Sequence, residues 1–162
     1  MSSARAATPA SFDRYLSRRP GFLIRRLHQI HLALFAEECA AFAVTPVQYS
    51  IMTVVAEQPG LEQARLAHEV GIDRATLANV VVRLESRDLV RRDTSANDRR
   101  LKLVTLTARG AALLELMDGP ARRAHERTVE ALPPEELAHF MEVLRRLVDA
   151  GNEYGRAPLR LE

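Results

Sequence analysis

Gly71-Ile72-Asp73-Arg74-Ala75-Thr76-Leu77-Ala78-Asn79-Val80-Val81-Val82-Arg83-Leu84 decides the fold, together with the two short stretches that follow it, Leu89-Val90-Arg91-Arg92 and Leu101-Lys102-Leu103-Val104-Thr105-Leu106. Asp73 suits a helix N-cap, because its carboxylate can accept from the first free backbone N–H groups. From there Leu77, Val80, Val81 and Leu84 recur at i, i+3, i+4 and i+7, one apolar face of a helix running to about Asp88. The period then changes, and the two β-branched stretches predict a strand hairpin around the polar loop from Asp93 to Arg100. Upstream, Gln63 to Val70 predicts a short helix stopped by Gly71. Short helix, glycine turn, capped helix and Arg-tipped hairpin together predict a winged helix-turn-helix with a two-stranded β-wing.

Further out, everything is helical, so the fold class is mainly α. Thr45-Pro46 predicts an N-cap followed by proline at the first helical position, opening a helix with Val47, Ile51, Val54 and Val55 that ends at Pro59-Gly60. Pro20-Gly21 opens a long first helix with the stripe Leu23, Leu27, Ile30 and Leu34, widened by Ile24, His31, Phe35 and Phe42. Thr107 caps a long helix to about Ala131, with Gly119-Pro120 expected to kink or break it. Pro133-Pro134-Glu135-Glu136 begins a last helix, its acids at the positive end of the dipole, with Leu137, Phe140, Met141, Leu144, Leu147 and Val148 along one side and Gly151 at its end. The expected organisation is a disordered start (1–11), a helical dimerisation region (12–44 and 108–151), a DNA-binding lobe (45–107) and a C-terminal tail (152–162).

Charge is concentrated where the pattern is most distinctive. Between Asp73 and Arg109 nine basic residues face five acids, a net +4 in a chain whose whole net charge is +2, so the rest carries −2. A basic helix and hairpin on a slightly acidic body is the footprint of a protein that binds a polyanion. With the apolar face inward, the opposite face of the capped helix carries Ala75, Asn79, Val82, Arg83 and Ser86. Asparagine pairs bidentately with adenine, and small apolar groups fit a thymine methyl. Arg74 and Thr76 stand at the helix N-terminus, where phosphate contacts are natural. At the hairpin tip, Arg99 is expected at a phosphate or groove, and Asp98 is expected to pair with a neighbouring arginine and hold the loop.

The run Asp98-Arg99-Arg100-Leu-Lys-Leu-Val-Thr-Leu106-Thr107-Ala-Arg-Gly110 resembles the wing signature of the MarR family of transcriptional regulators. Thr45-Pro-Val-Gln-Tyr49, Leu66-Ala67 and Gly71-Ile-Asp-Arg-Ala-Thr76 are similar to the same family, and the likeness extends over roughly residues 20–150. The resemblance implies a homodimer with interlocked terminal helices, two wings gripping a palindromic operator in double-stranded DNA, and Arg100 as the wing arginine inserted into the minor groove. The first helix, with Gly21-Phe-Leu-Ile-Arg-Arg-Leu-His-Gln, looks like the branch that represses aromatic-acid breakdown, nicotinate catabolism in particular. It also implies an effector pocket between the dimer helices and the DNA-binding lobe. The expected effector is a small aromatic acid, held by His28, Gln29, His31 and Tyr49 beside apolar Phe35 and Phe42, with a protonated histidine available to its carboxylate.

Other readings stay open at this level. His31 lies on an apolar flank and can equally be a hydrogen-bonded interior histidine, or a ligand in a metal sensor, although no convincing ligand set surrounds it. Cys39, the only cysteine, raises redox sensing, but neighbouring Glu37 and Glu38 oppose the thiolate that sensing requires. A helical protein-interaction module would leave the Arg-tipped hairpin without a purpose. No phosphate loop, zinc motif or nucleophile triad suggests an enzyme, and no cofactor is expected. A single cysteine excludes an intrachain disulfide, Met1 to Ala10 has no signal-peptide core, and no stretch approaches the roughly 20 apolar residues of a membrane span. These features predict a soluble cytoplasmic protein that acts without a membrane.

Overall fold

The computed structural model describes residues 15–96 and 98–155; the expected disordered start (1–11) and the end of the expected tail lie outside the described residues. The elements run α1 (Pro20–Glu38), α2 (Pro46–Glu57), β1 (Leu61–Glu62), α3 (Gln63–Val70), α4 (Arg74–Ser86), β2 (Val90–Thr94), β3 (Lys102–Leu106), α5 (Ala108–Val129) and α6 (Pro134–Gly151), with single 3-10 turns at Leu16–Arg18, Ala40–Phe42 and Asn152–Tyr154.

The helix starts follow from local chemistry. Thr45 and Gln48 form a reciprocal capping box, the Thr45 hydroxyl accepting from the Gln48 N–H and the Gln48 amide oxygen accepting from the Thr45 N–H. Asp73 caps α4 and Thr107 caps α5, each accepting from the N–H three residues on. Gly71 closes α3 with φ 71°, a left-handed conformation in which a Cβ would be strained.

The hairpin β2–β3 pairs Val90 with Leu106 and Thr94 with Lys102. A third strand, β1, adds to the far side of β3, so the sheet order is β1-β3-β2 and the expected two-stranded wing belongs to a three-stranded sheet. Two residues are too few to show an alternating pattern, which is why Leu61-Glu62 looks like connecting chain in the sequence. The interior of this lobe is one cluster of Ile51, Met52, Val55, Leu66, Leu77, Val81, Leu84, Leu89, Val90 and Val104. Fully burying such a side chain contributes about 1.5–3 kcal/mol. Every one of the four elements of the helix-turn-helix and wing therefore shares one core.

A second cluster joins α1 to α5: Phe35, Cys39 and Val44 pack on Met117, Ala121 and Ala124, with Phe42 and Tyr49 at its margin. Contrary to the expected interruption, α5 is not broken at Gly119-Pro120. Proline removes one hydrogen bond, but Met117, Ala121 and Ala124 on either side of it are buried against α1, and that packing holds the helix together. Glu38 adds a polar clasp at the same seam, accepting from Arg123 and Arg127 at 2.8 Å each, and these guanidiniums hold its carboxyl below the usual range.

The first helix presents two faces. Phe35 is buried and His31 half-buried against α5, whereas Leu23, Ile24 and Ile30 are exposed. α6 buries none of its residues, and Met141, Leu147 and Val148 lie open along it. Both helices thus carry apolar surface that the described residues do not cover. Among the described residues no helix is long and apolar enough to cross a membrane.

Candidate DNA-binding surface and effector cluster

The recognition face of α4 follows from its cap and its core. With Leu77, Val81 and Leu84 fully buried, Arg74, Ala75, Thr76, Asn79, Val82 and Arg83 are all exposed on the same helix. The nine basic residues of the Asp73–Arg109 segment then divide into two groups. Arg87 donates to backbone carbonyls, Arg91 pairs with Asp93, Arg92 with Glu85, and Lys102 donates to Thr94. Arg74, Arg83, Arg99, Arg100 and Arg109 are exposed and, among the described residues, have no side-chain partner. Their donors, like the Asn79 amide, are available to an outside acceptor.

Two expected site residues are engaged within the chain, and one expected partner is corrected. The Thr76 hydroxyl donates to Asp73 at 2.7 Å while its N–H donates to the other carboxylate oxygen at 2.8 Å, so both of its donors serve the helix cap. These bonds also hold the Asp73 carboxyl below its ordinary range. Asp98 does stabilise the loop, but through the backbone: its carboxylate accepts from the Arg100 N–H at 2.9 Å, and among the described residues no guanidinium pairs with it. Arg99 and Arg100 therefore stand clear of the acid beside them.

The wing is fixed to the recognition helix by a contact that sequence spacing does not reveal. Arg92 donates from Nε to Glu85 Oε2 at 2.9 Å and from Nη2 to the same oxygen, and its N–H reaches Oε1 at 3.3 Å. Arg92 holds the Glu85 carboxyl low, keeping it ionised. On the far side, Gly110 lets α5 approach the backbone of Leu89, and Thr107 donates to the carbonyls of Asp88 and Leu89.

The effector residues are only partly brought together. His31 bonds Thr128 at 2.9 Å and stacks on His125 with ring centroids 4.9 Å apart, so it faces α5, not α2. Phe35 bridges it to Tyr49, at 6.2 Å from the His31 ring and 5.8 Å from the Tyr49 ring. His28 is exposed nearby, while Gln29 points to the other side of the helix and accepts from Arg26. Burial, then the neighbouring His125 and His28, push the His31 pKa down. Unliganded, this ring is biased toward neutral, against the expected protonated partner for a carboxylate. His125 and Thr128 went unnoticed in the sequence because nothing in a helical repeat tells which residue of α5 meets α1. A cavity of about 270 Å³ borders the same cluster, lined by Phe35, Cys39, Ala43, Val44 and Pro46 among others.

Redox sensing by Cys39 loses ground. Burial, then Glu38, push the Cys39 thiol up, against the thiolate that oxidation requires. Among the described residues no group of three or more side chains is placed to hold a metal ion.

These features define a winged helix-turn-helix DNA-binding protein with a helical scaffold built for a second subunit. Residues 44–102 match the MarR family. The transcriptional repressor NicR of Pseudomonas putida is 31% identical over 135 residues, covering 83% of this chain and 85% of its own. The chain belongs to the MarR family, whose members are transcriptional regulators that bind DNA as dimers. Among solved structures, BpsR of Bordetella bronchiseptica, described with the regulation of its DNA binding by 6-hydroxynicotinic acid, is 31% identical and superimposes with a TM-score of 0.80 over 85% of this chain and 98% of its own. The repressor CouR bound to a 23-mer DNA duplex is 28% identical, with a TM-score of 0.77 over 82% and 94% of the two chains.

Proposed function

We propose that this protein is a cytoplasmic repressor that occupies a palindromic operator as a homodimer and leaves it when a small aromatic carboxylate binds, a hydroxynicotinate being the first candidate. Residues 45–107 serve as the DNA-binding lobe, and 12–44 with 108–151 as the dimerisation region. The observation that carries the reading is the sorting of charge: the arginines on the exposed face of α4 and at the wing tip have no partner among the described residues, while those around them are consumed by structure. Asn79, Ala75, Val82 and Arg83 read base edges in the major groove, Arg74 and Arg99 hold phosphates, and Arg100 enters the minor groove.

The effector identity is supported by the likeness to NicR and BpsR and by the mixed cluster around Phe35. His31, Tyr49 and His28 supply polar groups beside apolar walls, and Gln29 does not contribute. Ligand acts only through a difference in affinity between the DNA-competent and incompetent states, so DNA must weaken ligand by the factor by which ligand weakens DNA. Calorimetry with nicotinates, hydroxycinnamates and benzoates, with and without operator, tests this. Equal affinity in the two conditions, or binding of none of them, refutes release by an aromatic acid. If one binds, unchanged affinity in both His31→Ala and Tyr49→Phe moves the pocket away from this cluster.

A further inference from the structure

Arg87 is the one arginine of the recognition segment that reaches across the fold. It follows the last residue of α4, and its guanidinium donates from Nη1 to the Ala43 carbonyl at 2.7 Å and from Nη2 to the Phe42 carbonyl at 2.9 Å. These acceptors lie 44 and 45 residues upstream, in the turn between α1 and α2. Ala43 holds φ 51°, ψ 42°, a left-handed conformation that a residue with a Cβ avoids unless something maintains it. Two successive carbonyls at the end of a helical segment lack helical partners, and the planar fork of an arginine matches such a pair better than the point charge of a lysine.

We infer that Arg87 is a positioning residue: its fork clasps the α1–α2 turn and so sets the pose of the recognition helix on the helical scaffold. Phe42, which bears one of the clasped carbonyls, and Val44, which follows the other, pack with Phe35 and Met117 in the seam between α1 and α5. The clasp thus joins the end of α4 to the core of the dimerisation region, while Glu85, two residues earlier, joins it to the wing through Arg92. The DNA-reading helix is held at its C-terminal end by two charged side chains pulling in different directions. In a dimer, the pose of α4 on each scaffold fixes the separation of the two recognition helices and hence the spacing of half-sites that the protein accepts. This step rests on the dimeric operator reading above.

The test uses the full chain with Arg87→Ala and Arg87→Lys. Amide hydrogen exchange without DNA reads the clasp itself: Arg87→Ala should speed exchange in residues 40–45 and in the last turn of α4, leave the α2 and α3 core unchanged, and Arg87→Lys should fall between. Duplexes selected from a random pool by the unaltered protein, then shortened or lengthened by one base pair between half-sites, read the consequence. Arg87→Ala should bind the parent operator about tenfold more weakly, the scale of a lost charge-assisted bond, yet lose less than the unaltered protein when the spacing changes, with affinity for unrelated DNA unchanged. A residue that merely supports stability would lower all affinities together and preserve the spacing preference, which would overturn the inference. So would a loss that extends to unrelated DNA with a shallower salt dependence, since Arg87 would then be a phosphate contact. If Arg87→Ala does not fold, Arg87→Lys and Arg87→Gln decide by the same two readouts. If the pool yields no operator, the DNA reading fails, and unaltered exchange in residues 40–45 would separately dismiss the clasp.

Discussion

Replacing Gly110 by alanine should destabilise this protein severely, although alanine is the better helix former by up to about 1 kcal/mol. A Cβ built at Gly110 meets the Leu89 carbonyl oxygen at 1.9 Å and its carbon at 2.8 Å, where ordinary contact begins at 3.4 Å. The first turn of α5 and the start of β2 must therefore separate by about 1.5 Å. Leu89 and Val90 are 1% and 2% exposed, so neither has free space to retreat into. The shift would carry the Thr107 N–H, now 3.1 Å from the Leu89 carbonyl, out of bonding range and strain the Thr107 cap. Overpacking costs about 1–3 kcal/mol, a lost bond about 1 kcal/mol and a lost cap about 1 kcal/mol, or about 3–5 kcal/mol together. Urea unfolding of Gly110→Ala beside the unaltered protein, at matched subunit concentration, measures it. A loss under about 1 kcal/mol with operator affinity preserved would show that wing and α5 are not locked as argued.

Arg100→Ala should weaken operator binding and lower its salt dependence without altering unfolding, because an exposed loop arginine supports no core; unchanged affinity at physiological salt removes it from the interface. Asn79→Ala should cost about 1–3 kcal/mol at one base pair of each half-site, and an equal loss on every operator variant would make Asn79 a backbone contact. Leu147→Asp, on the open stripe of α6, should give monomers or unfolded chains in sedimentation; a stable monomer that still binds operator contradicts the dimer scaffold. His31 should make the protein acid-sensitive: with its folded pKa below 6.5, the unfolded chain binds more protons as pH falls below that value, so its contribution is present above pH 6.5 and lost on acidification. His31→Asn should flatten the fall in thermal stability between pH 7.5 and 5.5, and an identical slope refutes the assignment.

Local chemistry was the most legible part of this chain. Thr45, Asp73 and Thr107 announce their helices because a cap needs only the residues beside it, and the buried face of α4 follows from spacing alone. The recognition face was legible for the same reason: once Leu77, Val81 and Leu84 point inward, the outward set is determined. What escaped depends on partners distant in sequence. Nothing near Arg87 or Arg92 distinguishes them from Arg83 or Arg99, and only the folded chain shows which arginines are engaged and which are free. His31 was singled out for its apolar flank, but its facing helix was not, so its neighbours His125 and Thr128 were missed. Asp98 shows a different error: the arginine side chain expected beside it is replaced by the backbone N–H of Arg100.

The order β1-β3-β2 leaves the sheet with two open edges, and a row of unsatisfied strand groups is an invitation to a neighbouring chain. One edge is only the two residues of β1, too short to template a ladder. The other, β2, carries Arg91, Arg92 and Asp93 in succession, paired as Arg91–Asp93 and Arg92–Glu85, so a second copy lying alongside would have to strip these charges of water. Open strand edges are a liability in any protein that works at high local concentration. The length of one edge strand and the charge of the other both work against edge-to-edge pairing, and a chain with Arg91 and Asp93 both replaced by valine is where self-association should first appear.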